Sequence, residues 1–214
     1  MKEIFERIIE TRGWGTWPSW GTDELTVCGA GSTLGYTQNL RDKLKPLLIK
    51  YDIKSMFDAP CGDYHWMSRV NVQEVVKYIG GDIVDSLIEK NKQKYPDVEF
   101  IVFDLTKDKI PDVDLLHCRD CLLHLSLKNI DNVFINISKS NVKYVLLSNF
   151  FAEYDNYRDI KDGRARYSNY LLPPYNFSEP LDSIVDVIAH YPNRSMLLWP
   201  KSVFDTYVKT KFGI

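Results

Sequence analysis

The sequence lacks any apolar run approaching the ~18 residues that a membrane-spanning helix requires, so no membrane contact is expected. It also lacks a long basic run: 27 Lys and Arg stand against 29 Asp and Glu, a net charge of −2. Duplex and RNA binders normally carry a basic field, so nucleic acid is not an expected partner. Of the four cysteines, Cys118 and Cys121 form a CxxC pair inside an apolar stretch, and a second pair at zinc-finger spacing is missing. The opening MKEIFERIIE is charged and amphipathic where a secretory signal needs an apolar core, which predicts a cytoplasmic protein with reduced thiols. No internal repeat and no domain-scale linker interrupts the 214 residues. A single domain is expected, with residues 1–50 forming an N-terminal lid and helices on a core of residues 51–214.

What is present is an ordinary globular composition, 44% hydrophobic and 26% charged. Ile4, Phe5, Ile8 and Ile9 share one side of a helical repeat, and such a helix is placed to cap a pocket. Trp14, Trp17 and Trp20 then alternate with Gly13, Gly15 and Gly21 ahead of Gly29-Ala30-Gly31-Ser32-Thr33. Clustered glycines predict irregular backbone, and three tryptophans predict that it folds onto something. A helix is expected over 37–49, where Leu40, Leu44, Leu47 and Leu48 make an apolar face that Pro46 weakens locally.

From there short apolar runs alternate with helical ones. Strands are expected at 53–58, 76–81, 98–103, 113–118 and 142–149, with helices at 63–71, 86–95 and 127–139. That rhythm predicts βαβ units and a doubly wound, mostly parallel sheet with helices on both faces. Residues 151–180 break it with Tyr154, Tyr157, Tyr167, Tyr170, Tyr175 and Phe177 among polar groups, an insertion placed where such sheets build recognition loops. Runs at 184–189 and 195–199 suit a terminal hairpin and bring the sheet to seven strands.

The chemistry concentrates at strand ends. Phe57-Asp58-Ala59-Pro60-Cys61-Gly62-Asp63-Tyr64-His65-Trp66 follows a strand, where an open parallel sheet binds an adenosine-type ligand over its first turn. Gly62 permits close backbone approach, Pro60 stiffens the turn, and Asp58 is placed to order the loop or reach a ligand ammonium through water. Asp82 ends the next strand, and an ionised carboxylate accepts both ribose hydroxyls. Asp104 ends the third, where it can accept from an adenine amine while apolar neighbours flank the ring. The intervals of 24 residues (58 to 82) and 22 residues (82 to 104) each match one βαβ step.

The DAPCGD run with its aromatic followers resembles the glycine motif of class I S-adenosylmethionine-dependent methyltransferases, in a small-molecule subgroup, and the likeness runs over roughly residues 14–199. Pro60 and Tyr64 take two of the three glycine places of the general family pattern, and only Gly62 remains. The resemblance implies a Rossmann-like methyltransferase fold and S-adenosyl-L-methionine as cofactor. It implies cofactor contacts from Trp17, Thr33, Arg41, Asp58, Pro60, Gly62, Asp82, Ile83, Asp104, Leu105 and Arg119, with Arg41 pairing the cofactor carboxylate. Cys118-Arg119-Asp120-Cys121-Leu122-Leu123-His124 resembles the segment beside the transferred methyl group. There His124 is the candidate general base and Asp120 a second base or an anchor. A capping role for His124 and a solvated role for Arg41 remain open on the sequence.

Tyr36, His65, Trp66, Arg164, Arg166, Asn169 and Tyr175 are expected on the acceptor side. His117, Cys118, Cys121 and His124 offer four metal ligands, yet adjacent strand residues point to opposite faces, so no metal is expected. The implied reaction is methyl transfer to oxygen or nitrogen of a small molecule, a sugar or a phosphorylated glycan-related group, by a monomer or homodimer. A nicotinamide-dependent oxidoreductase would also use Asp82, but the GxGxxG turn and a Tyr-x-x-x-Lys pair are absent. A non-catalytic cofactor-binding module is the third reading.

Overall fold

Alternation of apolar residues decides how the strands pack. In the computed structural model, which describes residues 1–15, 17–18, 25–151, 156–187 and 193–214 (backbone alone for Trp17, Pro18 and Val187), Met56 points to one face of the sheet and Phe57 to the other. Leu115 and Leu116, then Leu146 and Leu147, then Leu198 and Trp199, split the same way. Both faces are therefore buried, the condition for a mostly parallel sheet.

In chain order the elements are α1 (Lys2–Glu10), β1 (Trp17–Pro18), β2 (Leu25–Thr26), α2 (Gln38–Lys50), β3 (Ser55–Asp58), β4 (Lys77–Asp82), α3 (Asp85–Lys94), β5 (Glu99–Val102), β6 (Leu115–Cys118), α4 (Leu127–Ser138), β7 (Tyr144–Phe150), β8 (Asp182–Val187), β9 (Arg194–Pro200) and α5 (Ser202–Phe212). β1 and β2 form a small antiparallel pair, and the other seven form one sheet in the order β5-β4-β3-β6-β7-β9-β8. The β3 to β7 strands run parallel, while β9 is antiparallel to both β7 and β8. Chain progression reverses between β3 and β6, so their carboxyl ends open a crevice at a topological switch point.

The doubly wound sheet follows the expectation, with strand ends displaced by one or two residues, and residues 188 and 189 of the expected hairpin lie outside the described set. The expected helix over 63–71 is absent; its place is taken by two short 3-10 turns, Met67–Arg69 and Val72–Glu74. Tyr64, Trp66, Met67 and Val70 are all buried, which leaves no polar face for an amphipathic helix, and Tyr64 and Asn71 take φ of +54° where the chain bends. α5 had no counterpart in the sequence reading, although Phe204, Tyr207 and Val208 form its buried stripe.

Much of the described 151–180 insertion belongs to the core. Its Tyr170, Tyr175 and Phe177 rings close around Phe134 of α4 together with Phe204 and Tyr207 of α5, each centroid within 6.0 Å of that of Phe134. Among the described residues no helix is long and apolar enough to cross a membrane.

Candidate active site

A cavity of about 420 Å³ lies over the carboxyl ends of β3, β4, β5 and β6. α1 roofs it with Met1, Phe5 and Ile9, and the 28–32 loop closes one side. The apolar spacing in α1 thus serves a pocket as well as a surface.

Below the roof, β3 delivers Asp58 into a turn that Gly62 makes possible with φ +55°; a Cβ there would lie 2.8 Å from Cys28 Sγ. Asp58 itself is spoken for. Tyr78 Oη donates to its Oδ2 at 2.7 Å and His117 Nδ1 meets its Oδ1 at 2.6 Å, so it braces the sheet while still lining the cavity. Pro60, Gly62 and Trp66 line the cavity, whereas His65 is buried outside the lining.

Asp82 ends β4 with its carboxylate in the cavity wall. Gly62 N donates to Oδ2 at 3.0 Å and Val84 N to Oδ1 at 3.0 Å. Burial nonetheless pushes its pKa up to about 6, because two amide dipoles do not replace bulk water. Ile83 stands beside it, and across the cavity Asp104 and Leu105 follow β5. Asp104 Oδ1 accepts from Thr106 N and Oγ1 at 3.0 and 2.6 Å, while Oδ2 lies 3.5 Å from Lys107 Nζ, so only part of its acceptor capacity is committed.

The turn after β6 carries Arg119, Asp120 and His124. Asp120 adopts φ +52°, and its backbone N donates to Ser148 Oγ at 2.9 Å. Its Oδ2 accepts from Arg194 Nη1 at 2.6 Å and lies 3.6 Å from Arg119 Nη1. Burial alone would raise its pKa, but the two guanidinium charges outweigh that and hold it below the usual carboxylate range. Such a carboxylate is a poor proton acceptor, which corrects the reading of Asp120 as a base and leaves it as an anchor. Arg119 donates through Nε and Nη2 to both oxygens of Asp186, at 2.9 and 3.2 Å, and through Nη2 to Gly31 O at 2.7 Å.

His124 lies under Trp14, with ring centroids 4.9 Å apart and planes at 29°. Its Nδ1 meets Arg164 O at 2.9 Å. A carbonyl only accepts, so Nδ1 carries the proton of the neutral ring and Nε2 keeps its lone pair. Burial lowers the His124 pKa, against the opposing pull of the Arg164 carbonyl and Asp120, so the ring is neutral at pH 7.

The remaining sequence expectations are corrected by placement. Thr33 and Tyr36 lie outside the lining, the former turned back to Ala30 O at 2.9 Å. Arg41 also lies outside it, donating through Nη2 to Gln38 Oε1 one helical turn away and to Leu34 O ahead of the helix, while its buried Nε has no hydrogen-bond partner among the described residues. In the insertion, Arg164 is exposed and serves through its carbonyl, while Arg166 is fully buried and donates to Ser168 Oγ, Arg158 O and Leu125 O. Asn169 pairs with Asn149, and Tyr175 belongs to the Phe134 cluster. The insertion supports the site from behind: Gly163 N donates to His124 O and Arg166 N to Leu123 O.

The side chain of Trp17, like Trp20, Tyr154 and His190, lies outside the described residues. Among the described residues no three His, Cys, Asp or Glu side chains converge in a metal-binding group. Sequence reasoning missed Asp186 and Arg194, and with them Phe150 of the cavity wall, whereas Tyr167 of the insertion does line it. A lone aspartate in the apolar IVDVIA run was the available signal.

No family model and no curated protein sequence matches the chain. Solved structures do. Magnesium protoporphyrin IX methyltransferase (ChlM) from Synechocystis PCC 6803 with bound SAH aligns over 94% of this chain and 99% of its own, with a TM-score of 0.62 and 15% identity. N-methyltransferase NodS from Bradyrhizobium japonicum WM9 aligns over 78% and 96%, at 0.58 and 8% identity. The methyltransferase domain of bacterial CtHen1 aligns over 76% and 98%, at 0.57 and 13% identity. The chain is similar to these proteins in architecture: its seven-stranded α/β sheet has the Rossmann-like fold found in S-adenosylmethionine-dependent methyltransferases.

Proposed function

We propose that this chain is an S-adenosylmethionine-dependent methyltransferase acting on oxygen or nitrogen of a small molecule. The carrying observation is the pairing, in one cavity, of the Asp82 carboxylate at the end of β4 with the neutral His124 imidazole after β6.

The residues present fit the cofactor. Asp82 supplies the acceptor pair for a ribose, Ile83 and Leu105 offer apolar sides for an adenine, Asp104 retains acceptor capacity for its amine, and the backbone of Gly62 and the 29–31 loop lies open to the amino-acid end. Bound there, the cofactor would supply an electrophilic methyl group on a sulfonium. The protein's own part is to exclude water beneath α1, to hold the acceptor against Asp120, and to receive its proton at His124 Nε2. A nicotinamide cofactor is less well served, since the β3 turn has a single glycine and no open pyrophosphate cradle.

Calorimetric titration with S-adenosylhomocysteine, with NAD as the control ligand, tests this reading. Saturable binding of the first and none of the second is expected; preference for NAD would sink the proposal.

Asp82 adds a pH signature. Ribose hydroxyls donate to the ionised carboxylate, so S-adenosylhomocysteine affinity is expected to rise with pH through about 6, the apo pKa of Asp82. At one pH unit below that value the affinity should be up to about tenfold weaker than its plateau. The same titration at pH 5 and pH 7.5 reads this directly, and equal affinities would refute it.

A further inference from the structure

Arg119 and Arg194 are the two cationic side chains that line the cavity among the described residues, and both face carboxylates from within the protein. The device that achieves this is a β-bulge. Pairing between β8 and β9 passes from Val185↔Ser195 directly to Val187↔Arg194, which leaves Asp186 as the extra residue. A bulge re-aims a side chain, and here it turns Asp186 inward, where it is fully shielded. Asp186 Oδ2 lies 2.9 Å from Arg119 Nε and 2.8 Å from Arg194 Nε, while Asp120 takes Arg194 Nη1 at 2.6 Å. Among the described residues Arg194 Nε meets Asp186 as an ion pair without a hydrogen bond and Nη2 has no partner, but both are sealed from solvent; a Cβ on Gly31 would lie 3.8 Å from Nη2, so it faces the backbone of the closing loop.

The two positive charges are thus matched by two negative ones; beside the neutral Tyr167 hydroxyl, two side-chain acceptors face this side. The Asp120 carboxylate keeps 24% of its surface, and His124 offers the Nε2 lone pair. Both accept hydrogen bonds. Phe150 and Tyr167, with ring centroids 5.0 Å apart, supply an apolar wall.

Resting on the methyltransferase reading above, we infer that the acceptor is an uncharged or cationic molecule that donates a hydroxyl or amine hydrogen to Asp120 and His124, and that phosphate and carboxylate groups are shut out of this half of the cavity because Asp186 and Asp120 have claimed both arginines. An anion here would find its would-be partners taken and the Asp120 charge beside it. Of the two acceptor classes raised by the sequence, this favours the sugar over the phosphorylated group.

Inorganic phosphate is the probe. It is titrated into the full chain, with and without S-adenosylhomocysteine, at constant ionic strength, while the His124 imidazole resonance is followed by NMR. The wild-type resonance is expected not to move at millimolar phosphate. In Asp186→Asn the arginines lose a counter-charge, and phosphate should bind about tenfold tighter or more than to wild type, shifting that resonance saturably and raising Tm. Asp120→Asn frees Arg194 Nη1 and provides the same test should the first variant not fold. A saturable His124 shift in wild type would overturn the inference, as would variants that gain no phosphate binding. Failure of S-adenosylhomocysteine itself to bind would remove the methyltransferase reading instead, and is read in a separate titration.

Discussion

Replacing His124 with Gln should lower kcat for methyl transfer by about 100- to 10,000-fold while leaving S-adenosylhomocysteine affinity within a factor of about two. The expectation comes from geometry before acidity. Arg164 O fixes the proton on Nδ1, Trp14 fixes the ring plane, and Nε2 is left as the basic atom of a residue that lines the cavity. A glutamine amide preserves polarity and approximate volume but accepts no proton at neutral pH. Because burial lowers the His124 pKa below 6.5, the base is already unprotonated at pH 7, and the wild-type rate should fall only when pH drops below that lowered value. In the variant this acid limb should disappear. The same shift stabilises the fold above pH 6.5, and the contribution is lost as pH falls through the folded pKa. Retention of kcat within threefold in His124→Gln, with an unchanged pH profile, would show that the acceptor arrives already nucleophilic and that positioning alone supplies the rate.

The parts of this site that were legible in the sequence are those whose function follows from a strand end. Asp82 and Asp104 could be placed because period-2 runs ended at them one βαβ step apart, and the parallel topology fixes where such ends converge. Residues whose role depends on side-chain direction were not legible. Asp58 sits at an equally telling strand end and lines the cavity, but the bonds that Tyr78 and His117 make to it from the two neighbouring strands could not be read from its position. Arg41 turns its Nη2 back to Gln38 one helical turn away, and Arg166 turns inward to three acceptors that come from two separate loops. Polar and aromatic composition made the whole 151–180 insertion look like a recognition surface; Tyr167 lines the cavity, but Tyr170, Tyr175 and Phe177 fill the space between α4 and α5, a helix whose short stripe gave little periodic signal. Asp186 required a bulge, which depends on the register of two strands and leaves no fixed mark in either one alone.

Asp82→Ala should weaken S-adenosylhomocysteine binding by about 100- to 1,000-fold, the equivalent of roughly 3–4 kcal/mol for two hydroxyl hydrogen bonds to a charged acceptor. Its effect on stability should run the other way. Between about pH 4 and pH 6 the native state holds a proton on Asp82 that the unfolded chain has released, so stability declines with rising pH across that window. Above it the ionised carboxylate costs about 3 kcal/mol relative to an exposed aspartate, from a shift of 3.8 to about 6. Alanine removes that cost but strands the amides of Gly62 and Val84, whereas Asp82→Asn keeps an acceptor oxygen for one of them. The asparagine variant is therefore expected to match or exceed wild-type Tm at pH 7.5 while still binding S-adenosylhomocysteine poorly. Opposite movement of affinity and stability is the signature of a carboxylate held in place for a ligand. A variant that loses both would mark Asp82 as a scaffold residue of the β3 turn, and one that loses neither would place the ribose elsewhere in the cavity.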